Sequence, residues 1–321
     1  MAKKPSEKRH KSFRRSYRGD YERDLEVPSL MQHIFETFKF LFKNWKLFIP
    51  LLVLMVVLDI LLIGIANEES YSQFREILSQ NGDNQMGNFA KAGVLLFSAV
   101  TTGGFAGQVS DSAITIGAVL FLVTWLTTIF IVRHKMAGHK IKLRDGLYNA
   151  MTPLVSTFAV ALVVVLECIP ILFLIILDSV TVKTGFLSMP FYALLFFGFA
   201  LLMLLISGYL LASSLMALVA VSAPGLYPVD ALRTASDLMA GRRMKFIIRL
   251  IALLLTVIII WVVVMVPLIM FDLALKNYEW AANIPFMTIC FTVIVFFTEI
   301  YAAIYLYLYY RWILDYDRIE S

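Results

Sequence analysis

FYALLFFGFALLMLLISGYLLASSLMALVAV, residues 191–221, runs for 31 positions without a charged side chain. A bilayer's hydrocarbon core is about 30 Å thick, and a helix rises about 1.5 Å per residue, so roughly 20 apolar residues cross it. This run is longer than one crossing needs. It is expected to tilt, or to end in an interfacial turn before Pro224. Because its apolar residues are continuous rather than alternating, the segment reads as a helix that satisfies its own backbone and not as a barrel strand.

Working outward, five further runs qualify: about 47–66, 113–132, 154–177, 246–271 and 286–310. The fold class is therefore all-α, a polytopic membrane protein with six transmembrane helices. Composition agrees, since 60% of the 321 residues are apolar and only 16% are charged. A soluble domain sits near 45–50% apolar and about 25% charged. Residues 1–28 read as a basic disordered cytoplasmic tail, and 29–321 as the six-span membrane domain.

The distribution of basic residues supplies an orientation. With these spans, 24 Lys and Arg fall on the side that holds both termini and 4 on the other: Arg75, Lys91, Lys183 and Lys276. By the positive-inside rule both termini belong in the cytoplasm of a cell membrane. The first apolar run follows a 46-residue polar and basic stretch, so it is expected to be a retained span rather than a cleaved signal. Trp45, Trp312, Tyr305, Tyr307, Tyr309 and Tyr310 cluster at the inner boundary, the position of an aromatic belt. In the outer segment 67–112, the apolar piece 94–100 is too short to span and reads as a short interfacial or re-entrant helix.

An amphipathic stretch precedes each odd-numbered span. In the first, Leu30, Met31, Ile34, Phe35, Phe38, Leu41, Phe42 and Trp45 recur at helical spacing, and Ser29 with Gln32 reads as a capping box. In the third, Pro228 opens a helix with Asp230 in its first turn, Ala231, Leu232, Ala235, Leu238 and Met239 make the stripe, and Gly241 ends it. Residues 142–151 are a shorter echo. The architecture expected is three hairpins, each preceded by an amphipathic interfacial helix. Such a helix serves either as an elbow for the following span or as a surface that senses lipid or binds a partner.

Lipid-headgroup contacts are expected from Lys8, Arg9, Lys11, Arg14, Arg15 and Arg18 in the tail, and from Arg242 and Arg243 after Gly241. Anionic inner-leaflet lipid is the nearest partner, at about 1 kcal/mol per basic residue near the surface. Phe13 and Tyr17 interleave with the tail arginines as in single-strand binders, but basic tails commonly serve topology alone, and no nucleic-acid partner is assigned. Membrane proteins are the expected protein partners.

Three carboxylates, Asp59, Glu167 and Glu299, fall near the middle of spans with no Lys, Arg or His at their depth. They form the candidate intramembrane polar site. Ionising one there without a charged partner costs several kcal/mol. Functionally, such acids suit a proton- or cation-coupled secondary transporter. Structurally, a neutral carboxyl can hydrogen-bond between helices for roughly 0.6–2 kcal/mol. Pro170 and Pro267 mark expected helix kinks in the third and fifth spans, and Glu167 lies close to the first of them. Gly208 and Ala212, with Ser207, Ser213 and Ser214, give the fourth span a small-residue face for close helix contact. Residues 97–107 loosely resemble the filter loop of potassium-uptake transporters, which need four such loops; a Gly-rich turn is the simpler reading.

Catalytic constellations are absent from the sequence: there is no phosphate-binding loop, dinucleotide glycine pattern, His-Glu-x-x-His or nucleophile elbow. His134 and His139 lack acidic or thiol neighbours for a metal, and Cys168 and Cys290 lie within apolar runs. The expectation is a non-enzymatic protein with no metal and no cofactor, organising lipid or membrane partners at the cytoplasmic face.

The stretch Ala223-Pro224-Gly225-Leu226-Tyr227-Pro228-Val229-Asp230-Ala231-Leu232-Arg233, continuing through Ala235-Ser236-Asp237-Leu238 to Gly241-Arg242-Arg243, resembles a known family. It is similar to the membrane domain attached to some bacterial glycerophosphodiester phosphodiesterases and to related stand-alone six-helix membrane proteins. Residues 35–48, with Asn44-Trp45, resemble that family's other interfacial helix. The resemblance implies a multi-pass membrane module without an assigned activity. The hydrolytic barrel of those enzymes, with its own His and Glu motifs, has no counterpart in this chain, so diester hydrolysis is not implied.

Overall fold

The computed structural model describes residues 28–63, 111–184, 189–223, 225–275 and 286–320. These residues form ten helices: α1 Leu30–Lys43, α2 Trp45–Leu62, α3 Asp111–Met136, α4 Leu143–Ala150, α5 Leu154–Glu167, α6 Ile169–Thr184, α7 Pro190–Ala220, α8 Pro228–Leu238, α9 Arg243–Leu275 and α10 Phe286–Glu320. Six segments are long and apolar enough to cross a membrane, as the hydropathy pattern requires. Tail residues 1–27 and the segment 67–110, with its filter-like stretch, lie outside the described residues.

Each helix starts and stops for a local reason. At α1, the Ser29 hydroxyl accepts from the Gln32 N–H at 3.2 Å, but the Gln32 side chain donates to Glu36 at 3.0 Å. The cap is thus half of the box expected, because a carboxylate one turn on competes for the same amide group. At the end of α3, Gly138 has φ +79°, His139 N–H reaches the His134 carbonyl and Gly138 N–H the Lys135 carbonyl. That is a Schellman stop, which favours glycine because it carries no Cβ.

The third apolar run forms one 25-residue span with a single interruption at Cys168. The chain passes from α5 to α6 at Cys168, two residues before Pro170. Proline supplies no N–H and its ring crowds the preceding turn, so the ladder is interrupted there. By contrast α9 runs through Pro267 without ending. The sixth run extends ten residues past the expected boundary at Tyr310, to Glu320. There Arg311 and Asp315 pair at 3.1 Å one turn apart, which supports a polar continuation of the helix.

Helix α10 is the centre of the molecule. It packs against α1, α2, α3, α7 and α9, and 72% of its most apolar stretch is buried, against 6% for the third span. Phe296, Ile300, Tyr301, Ile304, Tyr305 and Tyr309 lie within the core around it. Helices α5, α6, α7 and α9 instead turn large apolar residues outward, among them Val155, Phe173, Leu194 and Ile259. In a bilayer such residues meet lipid tails, so outward exposure there carries no aqueous penalty.

Helix α4 sits on the C-terminal half of α3 because Gly146 allows it. A Cβ added at Gly146 would stand 3.4 Å from an Ile131 side-chain carbon and 3.6 Å from the Thr127 methyl. A methyl group is therefore just accommodated, and a larger side chain is not. Gly146→Ala is expected to stabilise α4 by about 0.5–1 kcal/mol through its helix preference. Gly146→Leu should cost about 1–3 kcal/mol by overpacking and lift α4 from α3. Thermal unfolding in micelles measures the first effect, and proteolysis of the 137–142 link reads the second.

Candidate functional site

One buried polar cluster joins α1 to the bundle. The inner side of α1 carries His33 and Thr37, both buried, and the Thr37 hydroxyl is satisfied by the His33 carbonyl at 2.8 Å. His33 Nε2 lies 3.2 Å from the Tyr305 carbonyl. A carbonyl only accepts, so the proton is assigned to Nε2. The imidazole also packs edge-on against the Tyr305 ring at 4.2 Å. The Tyr305 hydroxyl donates to the Arg249 carbonyl at 3.1 Å, and the Arg249 guanidinium donates to the Pro28 carbonyl at 2.6 Å. That guanidinium stands over the Tyr309 ring at 4.8 Å, and Tyr309 stacks on Phe246 at 5.3 Å. The start of α1 is thus fastened to α9 and its middle to α10.

Burial holds the His33 imidazole well below its ordinary range, at about 4, and the nearby positive charge of Arg249 pushes the same way. At neutral pH the cluster therefore holds one fixed cation and one neutral imidazole.

The three sequence-selected acids lie on three different helices, α2, α5 and α10. Asp59 and Glu299 are each 1% exposed, on α2 and α10. Glu167, half-buried at the end of α5, accepts from the Ser214 hydroxyl at 2.7 Å through Oε1 and from the Ser207 hydroxyl at 2.6 Å through its backbone carbonyl. The small-residue face of α7 thus closes on α5 at Glu167. Asp59 Oδ1, Glu167 Oε2 and Glu299 Oε1 have no hydrogen-bond partner among the described residues. No hydrogen bond or ion pair joins any two of the three acids there.

Arg242 and Arg243, expected at the headgroups, both engage protein. Gly241 has φ +78° and turns the chain so that Arg242 is buried, at 2% exposure. Arg243 donates to the Ser236 hydroxyl at 3.1 Å and lies over the Tyr209 ring at 3.9 Å. Lys8, Arg9, Lys11, Arg14, Arg15 and Arg18 lie outside the described residues.

A cavity of about 360 Å³ opens where the ends of α3, α4 and α7 meet the start of α5. Its polar lining is Arg133, His134, Asn149, Thr152 and Ser222, and Leu126, Phe130 and Pro153 line its apolar side. Asn149 also borders a neighbouring hollow of about 200 Å³ with Arg144, Asp145 and Tyr148. Among the described residues no group of three His, Cys, Asp or Glu is placed to hold a metal.

His33, Arg249 and Arg133 are the residues that sequence reading passed over. The spacing of His33 with Thr37, one turn apart on the apolar side of α1, was the available signal for the first. Nothing local distinguishes Arg249 or Arg133 from neighbouring basic residues.

No family model, curated protein or solved structure matches the chain. The described residues are all helical, and their six long apolar segments give the class: a multi-pass membrane protein.

Proposed function

We propose that this chain is a non-enzymatic protein of the cytoplasmic membrane that organises anionic lipid and membrane partners at its basic face. In this reading both termini are cytoplasmic, and the six spans form three hairpins, each led by an amphipathic interfacial helix. The supporting observation is the division of α1. One side is bolted to α9 and α10 through Arg249 and His33, while Met31, Phe35 and Phe42 point outward beside exposed Lys39 and Lys43, a pattern that Trp45 and Lys46 continue at the start of α2. Outward apolar residues flanked by lysines suit a helix lying at a headgroup boundary. Fastening alone would serve an elbow; the apolar outer side with its lysines is what favours contact with lipid.

The basic tail adds charge to the same face. The similarity of residues 223–243 to glycerophosphodiester phosphodiesterase membrane domains fits, since that domain is a membrane module and not the hydrolytic barrel.

The test reconstitutes the protein with mixed phosphatidylglycerol and phosphatidylcholine carrying spin-labelled probes. Wild type should enrich the anionic lipid in its first shell, and raising the salt should weaken the enrichment. Replacing Lys8, Arg9, Lys11, Arg14, Arg15, Arg18, Lys39, Lys43 and Lys46 by Gln should remove most of it. Equal selectivity in the two proteins at all salt concentrations would sink the proposal.

A further inference from the structure

The cavity between α3, α4, α5 and α7 has the chemistry of a discrete anion site. Arg133 reaches it with a guanidinium whose protein acceptor, the Ser222 carbonyl, is a long 3.4 Å away. A hydrogen bond at that distance is weak, so most of the five N–H donors stay available. The same guanidinium lies 5.7 Å from the centre of the Phe130 ring, which steadies its plane. No carboxylate lines this cavity; Asp145, the nearest acid named among the linings, borders the neighbouring hollow.

The imidazole beside Arg133 is oriented as well. His134 Nδ1 lies 3.0 Å from the Phe130 carbonyl, and its ring packs on the Phe130 ring at 3.9 Å. With Nδ1 donating to that carbonyl, Nε2 is left to accept from a ligand hydroxyl. Thr152 and Asn149 add neutral polar groups. A planar cation beside an acceptor and neutral amide and hydroxyl groups is the complement of a phosphate ester bearing a hydroxyl. At about 360 Å³ the space falls at the small end of ligand pockets, which span about 300–1,000 Å³.

Two sources could bring that group, a phospholipid or free phosphate. The wall decides between them. Phe130 and Pro153 line the apolar side, and Pro153 leads into α5, whose Val155, Phe158 and Leu162 are exposed. A phosphate lodged beside Arg133 thus has exposed apolar residues of α5, within the turns that follow Pro153, for attached acyl chains.

We propose that this cavity binds the headgroup of one anionic phospholipid, with Arg133 as its principal contact. The inference rests on the lipid-organising reading but concerns a single stoichiometric site away from α1 and the tail. Failure of the annular enrichment and failure of this site are therefore separately observable.

The experiment uses the full chain in micelles with dihexanoyl phosphatidylglycerol, dihexanoyl phosphatidylcholine or inorganic phosphate, and counts retained ligands by native mass spectrometry. Wild type should retain one phosphatidylglycerol in preference to phosphatidylcholine. Arg133→Gln should weaken that retention about tenfold or more, while Arg233→Gln, on the exposed side of α8, should leave it unchanged. Asn149→Trp, at an exposed lining position, blocks the mouth without touching the core and should also abolish retention. It keeps the test open if Arg133→Gln does not fold. Undiminished retention in folded Arg133→Gln, or in Asn149→Trp, overturns the site. Inorganic phosphate displacing the lipid at equal concentration overturns the assignment to phospholipid.

Discussion

Lowering the pH from 6.5 to 4 should undock α1 progressively, with a loss approaching about 3 kcal/mol at the acid end. The sign follows from His33. Its free imidazole titrates at 6.5, and in the docked helix at about 4, because burial and the charge of Arg249 both oppose protonation. Between those values the undocked form takes up a proton that the docked form does not, so acid favours undocking. Above 6.5 both forms are neutral, and the dependence vanishes. The other titratable side chains against the imidazole, Arg249, Tyr305 and Tyr309, are of types that keep their charge state over this range.

Hydrogen exchange of the α1 amides in micelles, corrected for the intrinsic pH dependence of exchange, measures the effect. His33→Gln keeps an amide donor for the Tyr305 carbonyl and does not titrate, so its profile should be flat over the same window. A slope of equal size in that variant would place the proton elsewhere.

Truncating Tyr301 should be strongly destabilising. The residue is fully buried, and its ring meets Phe38 at 4.6 Å and Tyr305 at 6.4 Å, so Tyr301→Ala opens a cavity between α10 and α1. Large-to-small aromatic changes cost about 3–5 kcal/mol in aqueous cores. In a bilayer the transfer contribution shrinks while the packing loss remains, which points to the lower end, about 3 kcal/mol.

Tyr301→Phe should behave oppositely. The Tyr301 hydroxyl has no hydrogen-bond partner among the described residues, so removing it is expected to be neutral or to stabilise by about 1 kcal/mol. Tyr305→Phe, two positions on from Ala303 in the same core, loses the bond to the Arg249 carbonyl and should cost about 1 kcal/mol. Unfolding in mixed micelles with increasing dodecyl sulfate ranks the three variants. Similar losses for the two Phe variants would reveal an acceptor for Tyr301.

Local features were readable wherever the physics is local. Ser29 at the start of α1, Pro228 at the start of α8 and Gly241 after it sit where their backbone preferences place them. The departures come from competition or continuation. Gln32 pairs with Glu36 instead of completing the cap, and α10 outlasts its apolar stretch. The acids were visible as anomalies, but the bonding of Glu167 to Ser207 and Ser214 was not. Whether Asp59, Glu167 and Glu299 share a site depends on helix rotation, which a one-dimensional pattern of polar exceptions does not encode.

By itself the sequence determined six apolar helices, because spanning length and backbone self-satisfaction are properties of one continuous segment. Tertiary structure alone decided that the last helix is the core while the third span is almost wholly outward. It also decided that His33 and Arg249 clasp α1, and that Arg133 faces a cavity. The physical reason is the solvent. In water, burial selects apolar residues and so writes itself into the pattern. In lipid, a leucine facing the bundle and a leucine facing acyl chains are nearly equivalent. Only the packed arrangement distinguishes them.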